Sequence, residues 1–168
     1  MSLDVDVFWS FRSPYSYLAT PRLVRLAVEY DVAVNVRVVL PIAVRIPGFF
    51  ETVNPLWPPY LLRDTMRIAE YERMPYRWPR PDPIVQDFPS RKVAAERAGL
   101  DLAELDAAIA ADPGRHDEII AENQRALEAA GHWGVPTMVF AGEPFFGQDR
   151  IELLIWRMQQ HGLRRRPA

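Results

Sequence analysis

Apolar and polar positions change period several times along the chain, and each change marks an element. Val5-Asp6-Val7-Phe8-Trp9 is a short β-rich run that predicts a first strand. From Pro14 to about Tyr30, Leu18, Leu23, Leu26, Ala27 and Tyr30 recur on one helical face. Pro21 falls inside that pattern and predicts a kink or break one turn in. Val32 to Val39 alternates β-branched residues with Asn35 and Arg37, the period of a second strand. A helix between two strands predicts a right-handed βαβ unit.

From Pro41 to Pro58 the regular period is lost. Pro41, Pro47, Gly48, Pro55 and Pro58 punctuate a segment kept apolar by Ile46, Phe49, Phe50, Leu56 and Trp57, which predicts a long loop. Its aromatics fit either a tuck into the core or a pocket wall. Pro59 to about Met74 reads as a helix, and the proline-dense stretch from Pro75 to Pro89 as an irregular connector. Ser90 is expected to cap a short helix through Ala98 that Gly99 stops, and Asp101 with Glu104 to form a capping box for a helix through about Ala111. Asp112-Pro113-Gly114 starts another helix, which ends at Gly131.

Gly131-His132-Trp133-Gly134-Val135-Pro136-Thr137 then leads into a strand through Phe140. Pro136 cannot donate to a sheet ladder, so it belongs at the strand's start. Ala141-Gly142-Glu143-Pro144 reads as a hairpin turn, with Phe145-Phe146 as the partner strand. Gly147-Gln148-Asp149-Arg150 opens a last helix, where Asp149 and Glu152 fit a second capping box. Trp133, Trp156 and Met158 read as core, and the basic cluster Arg164-Arg165-Arg166 as a fraying end.

With 168 residues, 49% of them hydrophobic, the chain suits a single domain with a real core. A net charge of -2 argues against a nucleic-acid partner. No signal-like opening or membrane-length apolar run is present, and the expectation is a soluble cytoplasmic protein with no membrane association. His116, His132 and His161 lack metal-ligand spacing, so no metal is expected. Phosphate-loop, dinucleotide and nucleophile-elbow motifs are also missing.

The chemistry concentrates where the first strand meets the first helix, in Ser13-Pro14-Tyr15-Ser16. Ser13 suits an N-cap and Pro14 the first helical position, where its missing N–H costs nothing. The remaining free N–H groups and the helix dipole favour an anion there, above all a thiolate. With cysteine at positions 13 and 16 the segment would be a C-x-x-C redox motif. The chain contains no cysteine, so such a site would act on a thiolate brought by a ligand. Read alone, Ser13 is better explained as a helix cap.

The ordered set of Ser-Pro-Tyr-Ser-Tyr-Leu-Ala after a strand, Asn54-Pro55, Tyr60-Leu61-Leu62-Arg63-Asp64, Gly-Val-Pro-Thr before a strand, and Gly-Gln-Asp-Arg-Ile before a closing helix resembles the 2-hydroxychromene-2-carboxylate isomerase family. That family is related to kappa-class glutathione transferases. The resemblance implies an α/β, thioredoxin-like fold of the DsbA-like branch, one domain over 1–168 with a shortened helical insertion at 59–130. It implies glutathione as cofactor, bound by Ser13, Pro14, Tyr15, Asn54, Val135, Pro136, Gln148 and Asp149. Ser13 would be catalytic, bonding the sulfur and keeping it as thiolate, while Asp149 would pair with the γ-glutamyl ammonium. Pro136 is expected to follow a cis bond and lie across from Ser13. The implied reaction is thiolate addition to, and elimination from, an activated double bond of a small aromatic-derived substrate. Phe49, Phe50 and Trp57 would contact that substrate, and Arg63 or Arg67 its carboxylate. A homodimer is expected. Two departures stand out: Asn54 to Tyr60 carries no lysine, and the connection from Lys92 to Leu100 is abrupt. A non-catalytic thioredoxin-like binding domain and a kappa-like glutathione transferase are the alternatives.

Overall fold

The computed structural model describes residues 3–78 and 88–167. Leu3–Trp9 forms strand β1, Pro14–Glu29 helix α1 and Val32–Val38 strand β2. The two strands run parallel in unbroken register, from Leu3 opposite Val32 to Trp9 opposite Val38, as the helical crossover between them allows. Pro21 does not break α1, which continues through it. Pro21 is exposed, on the helix face away from the core.

Strands β3 (Thr137–Phe140) and β4 (Glu143–Phe146) complete a sheet of order β2-β1-β3-β4, with β3 antiparallel to both β1 and β4. The hairpin turn is shorter than the sequence suggests. Only Ala141 and Gly142 turn, at φ 51° and 81°, the left-handed pair that matches the twist of the flanking strands. Glu143 and Pro144 therefore belong to β4, an edge strand that tolerates a proline.

Helices α2 (Ile42–Arg45), α3 (Phe49–Thr52), α4 (Trp57–Tyr71), α5 (Phe88–Arg97), α6 (Leu102–Ala111) and α7 (Pro113–Ala129) lie between β2 and β3, and α8 (Ile151–Gln160) closes the fold. The predicted loop from Pro41 to Pro58 thus contains two single-turn helices and the start of α4. Most of the Pro75–Pro89 connector lies outside the described residues, and α5 begins at Phe88, ahead of Ser90. The Asp101 carboxylate accepts from the Ala103 and Glu104 N–H groups at 2.7 and 3.2 Å, and Asp112 accepts from Arg115 at 3.2 Å. Replacing Asp101 by alanine is expected to cost about 1 kcal/mol, read as a shift in urea midpoint; an unchanged midpoint would remove the cap from the account of α6.

Strand alternation sorts the core into two layers. Val5 and Val7 of β1 pack with Ala19, Leu23 and Leu26 of α1, Met138 and Phe140 of β3, and Ile151, Leu154 and Met158 of α8. Phe8, on the opposite face of β1, packs with Val39 and with Leu127 of α7. Trp133 and Trp156 are about half exposed, contrary to their reading as core. Trp156 lies off the Ile151–Leu154–Met158 stripe of α8 and carries Arg157 over its ring instead. The basic tail is pinned, not frayed. The Asp31 N–H donates to the Arg164 carbonyl, the Arg166 N–H to that of Glu29, and Arg166 Nε to that of Tyr30.

Candidate functional site

The turn from β1 into α1 is held by its own serines. The Ser13 N–H donates to the Ser10 carbonyl at 3.1 Å, and Ser13 Oγ accepts from the Ser16 N–H at 3.2 Å, so Ser13 is the N-cap and Pro14 opens the helix. Ser16 is fully buried, and its carbonyl accepts from Trp9 Nε1 and Thr20 Oγ1 at 3.0 Å each. Only the first of the two serines is partly open to solvent. The Tyr15 N–H has no acceptor among the described residues and remains available at the positive end of the helix.

The strap Gly134-Val135-Pro136 reaches the same point from the far end of the chain. Ser13 Oγ donates to the Val135 carbonyl at 3.3 Å. The Val135–Pro136 bond is cis and Pro136 is buried. Thr137 Oγ1 donates to the Gly134 carbonyl at 2.8 Å, the Gly147 N–H to the Pro136 carbonyl at 2.9 Å, and the Gly134 N–H to His132 Nδ1 at 2.9 Å. Among the described residues the Val135 N–H alone of the strap's polar groups is left unpaired. A helix N-terminus, a hydroxyl and an open strand-like N–H therefore meet in one place, a set of donors suited to an anionic sulfur on a peptide-like ligand.

Tyr15 also reaches across to α4. Its phenol donates to Asp64 Oδ2 at 2.7 Å, and the Tyr60 hydroxyl donates to Oδ1 at 3.4 Å. Burial first, and the Asp64 carboxylate second, push the Tyr15 phenol well above its ordinary range, so it stays a neutral donor. Sequence reading missed this pairing, although Tyr60 and Asp64 stand one helical turn apart.

The other predicted residues fall in different surroundings. Asn54 is exposed, and its Oδ1 accepts from the Leu56 N–H at 3.0 Å, closing its own turn. Gln148 Oε1 accepts from Arg22 of α1. Asp149 lies in a short 3-10 turn, Gln148–Arg150, and its carboxylate is 2.9 Å from the Arg150 guanidinium. The expected capping box with Glu152 does not form, since α8 starts after Arg150 with no side-chain cap. Arg63 and Arg67 line a cleft of 460 Å³ along α4 with Met66, Glu70, Met74 and Tyr76.

Phe49, Phe50 and Trp57 do come together, with ring centroids 5.4 to 6.2 Å apart. Trp133 extends the group, 5.9 Å from Phe49 and 6.4 Å from Phe146, and Phe146 stacks on His132 at 4.0 Å. This aromatic wall runs from the strap to α4, and Phe50, Trp57, Trp133 and Phe146 keep large exposed faces. Together these rings form a contiguous exposed apolar patch.

A family model of the DSBA-like thioredoxin domain matches residues 85–159. The whole fold is similar to the structure of a 2-hydroxychromene-2-carboxylate isomerase, with a TM-score of 0.72 over 95% of this chain and 96% of that one at 22% identity. The chain has a DsbA-like thioredoxin fold. A probable DsbA oxidoreductase from Streptomyces coelicolor shares it, with a TM-score of 0.68 and 17% identity over 99% of this chain and 92% of that one. So does the thiol-disulfide exchange protein alpha-DsbA2 from Wolbachia pipientis, with a TM-score of 0.58 and 12% identity over 96% and 82%. A search of curated protein sequences gives no significant match. This DsbA-like chain has no cysteine, so its own side chains cannot carry out thiol–disulfide exchange. Among the described residues no cluster of ligating side chains could hold a metal ion, and no helix is long and apolar enough to cross a membrane.

Proposed function

We propose that this protein is a glutathione-dependent isomerase of the 2-hydroxychromene-2-carboxylate isomerase type. The observation that carries the reading is the Ser13 hydroxyl at the α1 N-terminus, 3.3 Å from the Val135 carbonyl, in a chain without cysteine. The residues present fit glutathione. Ser13 Oγ–H turns from the Val135 carbonyl to the ligand sulfur, while the Tyr15 N–H and the helix dipole add to the same positive field. Val135 then offers an unpaired N–H and a freed carbonyl to the ligand backbone, the two groups of a ladder pair. Asp149 is the carboxylate for the γ-glutamyl ammonium and exchanges its Arg150 partner to bind it. Bound glutathione supplies a thiolate able to add reversibly to an activated carbon–carbon double bond. Phe49, Phe50, Trp57 and Trp133 supply an apolar aromatic wall for an aromatic-derived substrate.

Isomerisation of 2-hydroxychromene-2-carboxylate that requires glutathione is the expected result. Glutathione at a hundred times its dissociation constant should also stabilise the fold by about 2.7 kcal/mol. Conjugation of an aryl halide without isomerisation would make the protein a transferase, and stabilisation without either turnover a binding domain. Absence of any stabilisation would reject the thiol-ligand reading altogether.

A further inference from the structure

His132 precedes the strap and takes no part in the contacts assigned to glutathione, yet its ring is placed with care. The Gly134 N–H donates to its Nδ1 at 2.9 Å, and Gly134 is buried, so water does not replace that acceptor. The imidazole stacks on Phe146 at 4.0 Å and on Trp133 at 5.6 Å. Gly134 lies so closely against the stacked pair of His132 and Phe146 that an added Cβ would be 2.5 Å from Phe146 Cε2 and 3.1 Å from His132 Cε1. The His132 N–H itself donates to the Leu127 carbonyl at the end of α7. Ring, strap and helix are thereby joined.

We infer that His132 is a positioning residue: the lone pair on Nδ1 holds the Gly134 N–H and so sets the Val135 backbone opposite Ser13. Only the neutral imidazole, protonated on Nε2, can do this, because a protonated Nδ1 is a donor and would face the amide donor. The strap is therefore coupled to the charge on His132. Burial already holds that imidazole below its ordinary value, which keeps the acceptor form in place near neutral pH. β4 presents Phe146 to the ring. Next to His132 in the chain, the Trp133 carbonyl accepts from Arg45 Nη1 of α2 at 2.9 Å, and Glu128 of α7 acts on that guanidinium.

The consequence for ligand binding rests on the thiol-ligand reading above, so the test has one arm that needs no ligand. In the free protein, the Gly134 amide and the His132 ring nitrogens are followed by ¹⁵N NMR against pH. The amide should shift in step with the imidazole. In the second arm, affinity for S-methylglutathione, which has no thiol proton to titrate, is measured against pH. Wild type should weaken by about tenfold as His132 becomes charged, the expected loss for one buried amide left without its acceptor. His132→Asn places Oδ1 where Nδ1 was and should bind with no pH dependence in this range. His132→Phe keeps the stacking but loses the acceptor and should bind about tenfold more weakly at every pH. A Gly134 amide that ignores the imidazole titration, or a His132→Asn profile identical to wild type, would overturn the inference. An amide that follows His132 in a protein that glutathione does not stabilise at any pH would uphold the positioning role and reject the thiol-ligand reading instead.

Discussion

Replacing Ser13 by alanine is expected to raise the pKa of a glutathione thiol bound at the α1 N-terminus by about 1–2 pH units. The hydroxyl donates only usefully to the anionic sulfur, and a hydrogen bond to a charged group is worth about 1.5–3 kcal/mol, against 1.36 kcal/mol per pH unit. Removing it disfavours the thiolate, so the titration moves up. Below the pKa of both proteins the thiolate fraction, and turnover with it, should fall on the order of tenfold to a hundredfold. Above the variant's pKa the fraction is restored and activity returns. Thiolate absorbance of the bound ligand against pH reads the shift directly. The same substitution also removes the acceptor for the Ser16 N–H, at a cost of about 0.5–2 kcal/mol in stability. The two effects separate cleanly: an unchanged titration with a lower melting temperature would leave Ser13 a helix cap and nothing more. Ser13→Thr keeps the hydroxyl and should preserve the low titration.

Gly134→Ala should destabilise the protein by about 1–3 kcal/mol and loosen the strap, although Gly134 does not need a left-handed backbone. The conflict is steric. A methyl group there meets two atoms of the Phe146 ring at 2.5 and 2.9 Å, and His132, stacked on that ring, lies 3.1 Å from the methyl group as well. Phe146→Ala removes the obstructing ring. Urea denaturation of the two single variants and the double variant should show strong coupling, with the double variant recovering most of the cost of the methyl group. Additive losses would show that Gly134 is required for some other reason.

The regular part of this fold was legible because its elements are long enough to show their period. β1, α1 and β2 announce themselves by alternation and by the Leu18, Leu23 and Leu26 face, and Asp101 and Asp112 mark α6 and α7 by the chemistry of capping. The single-turn helices α2 and α3 were not legible, since four residues cannot display a 3.6-residue repeat and prolines flank both. Trp156 was misread from its size, whereas the spacing of Ile151, Leu154 and Met158 already places it off the buried stripe. The meeting of Ser13 with Val135 was anticipated from motif order. What the sequence withheld were the partners of neighbouring side chains: Arg22 on Gln148, Arg150 on Asp149 and Asp64 on Tyr15. The first and last of these depend on how elements dock, and no local pattern encodes them, whereas Asp149 and Arg150 are chain neighbours that pair within the short 3-10 turn where a helix cap was expected.

The strand order β2-β1-β3-β4 also dictates when the site can exist. β1 sits between a partner that follows it at once and another, β3, that begins only at Thr137, with Phe8 opposite Thr137 in the register. Closing that long loop is entropically costly and makes the second pairing the slower one. As the chain emerges during synthesis, β1, α1 and β2 can assemble early with Ser13 already capping its helix. Until the hairpin of β3 and β4 arrives, however, β1 offers an unpaired edge and Ser13 faces no strap. The contact between Ser13 and Val135 is therefore completed only after that late pairing, and the interval before it is when the exposed edge invites pairing with another chain.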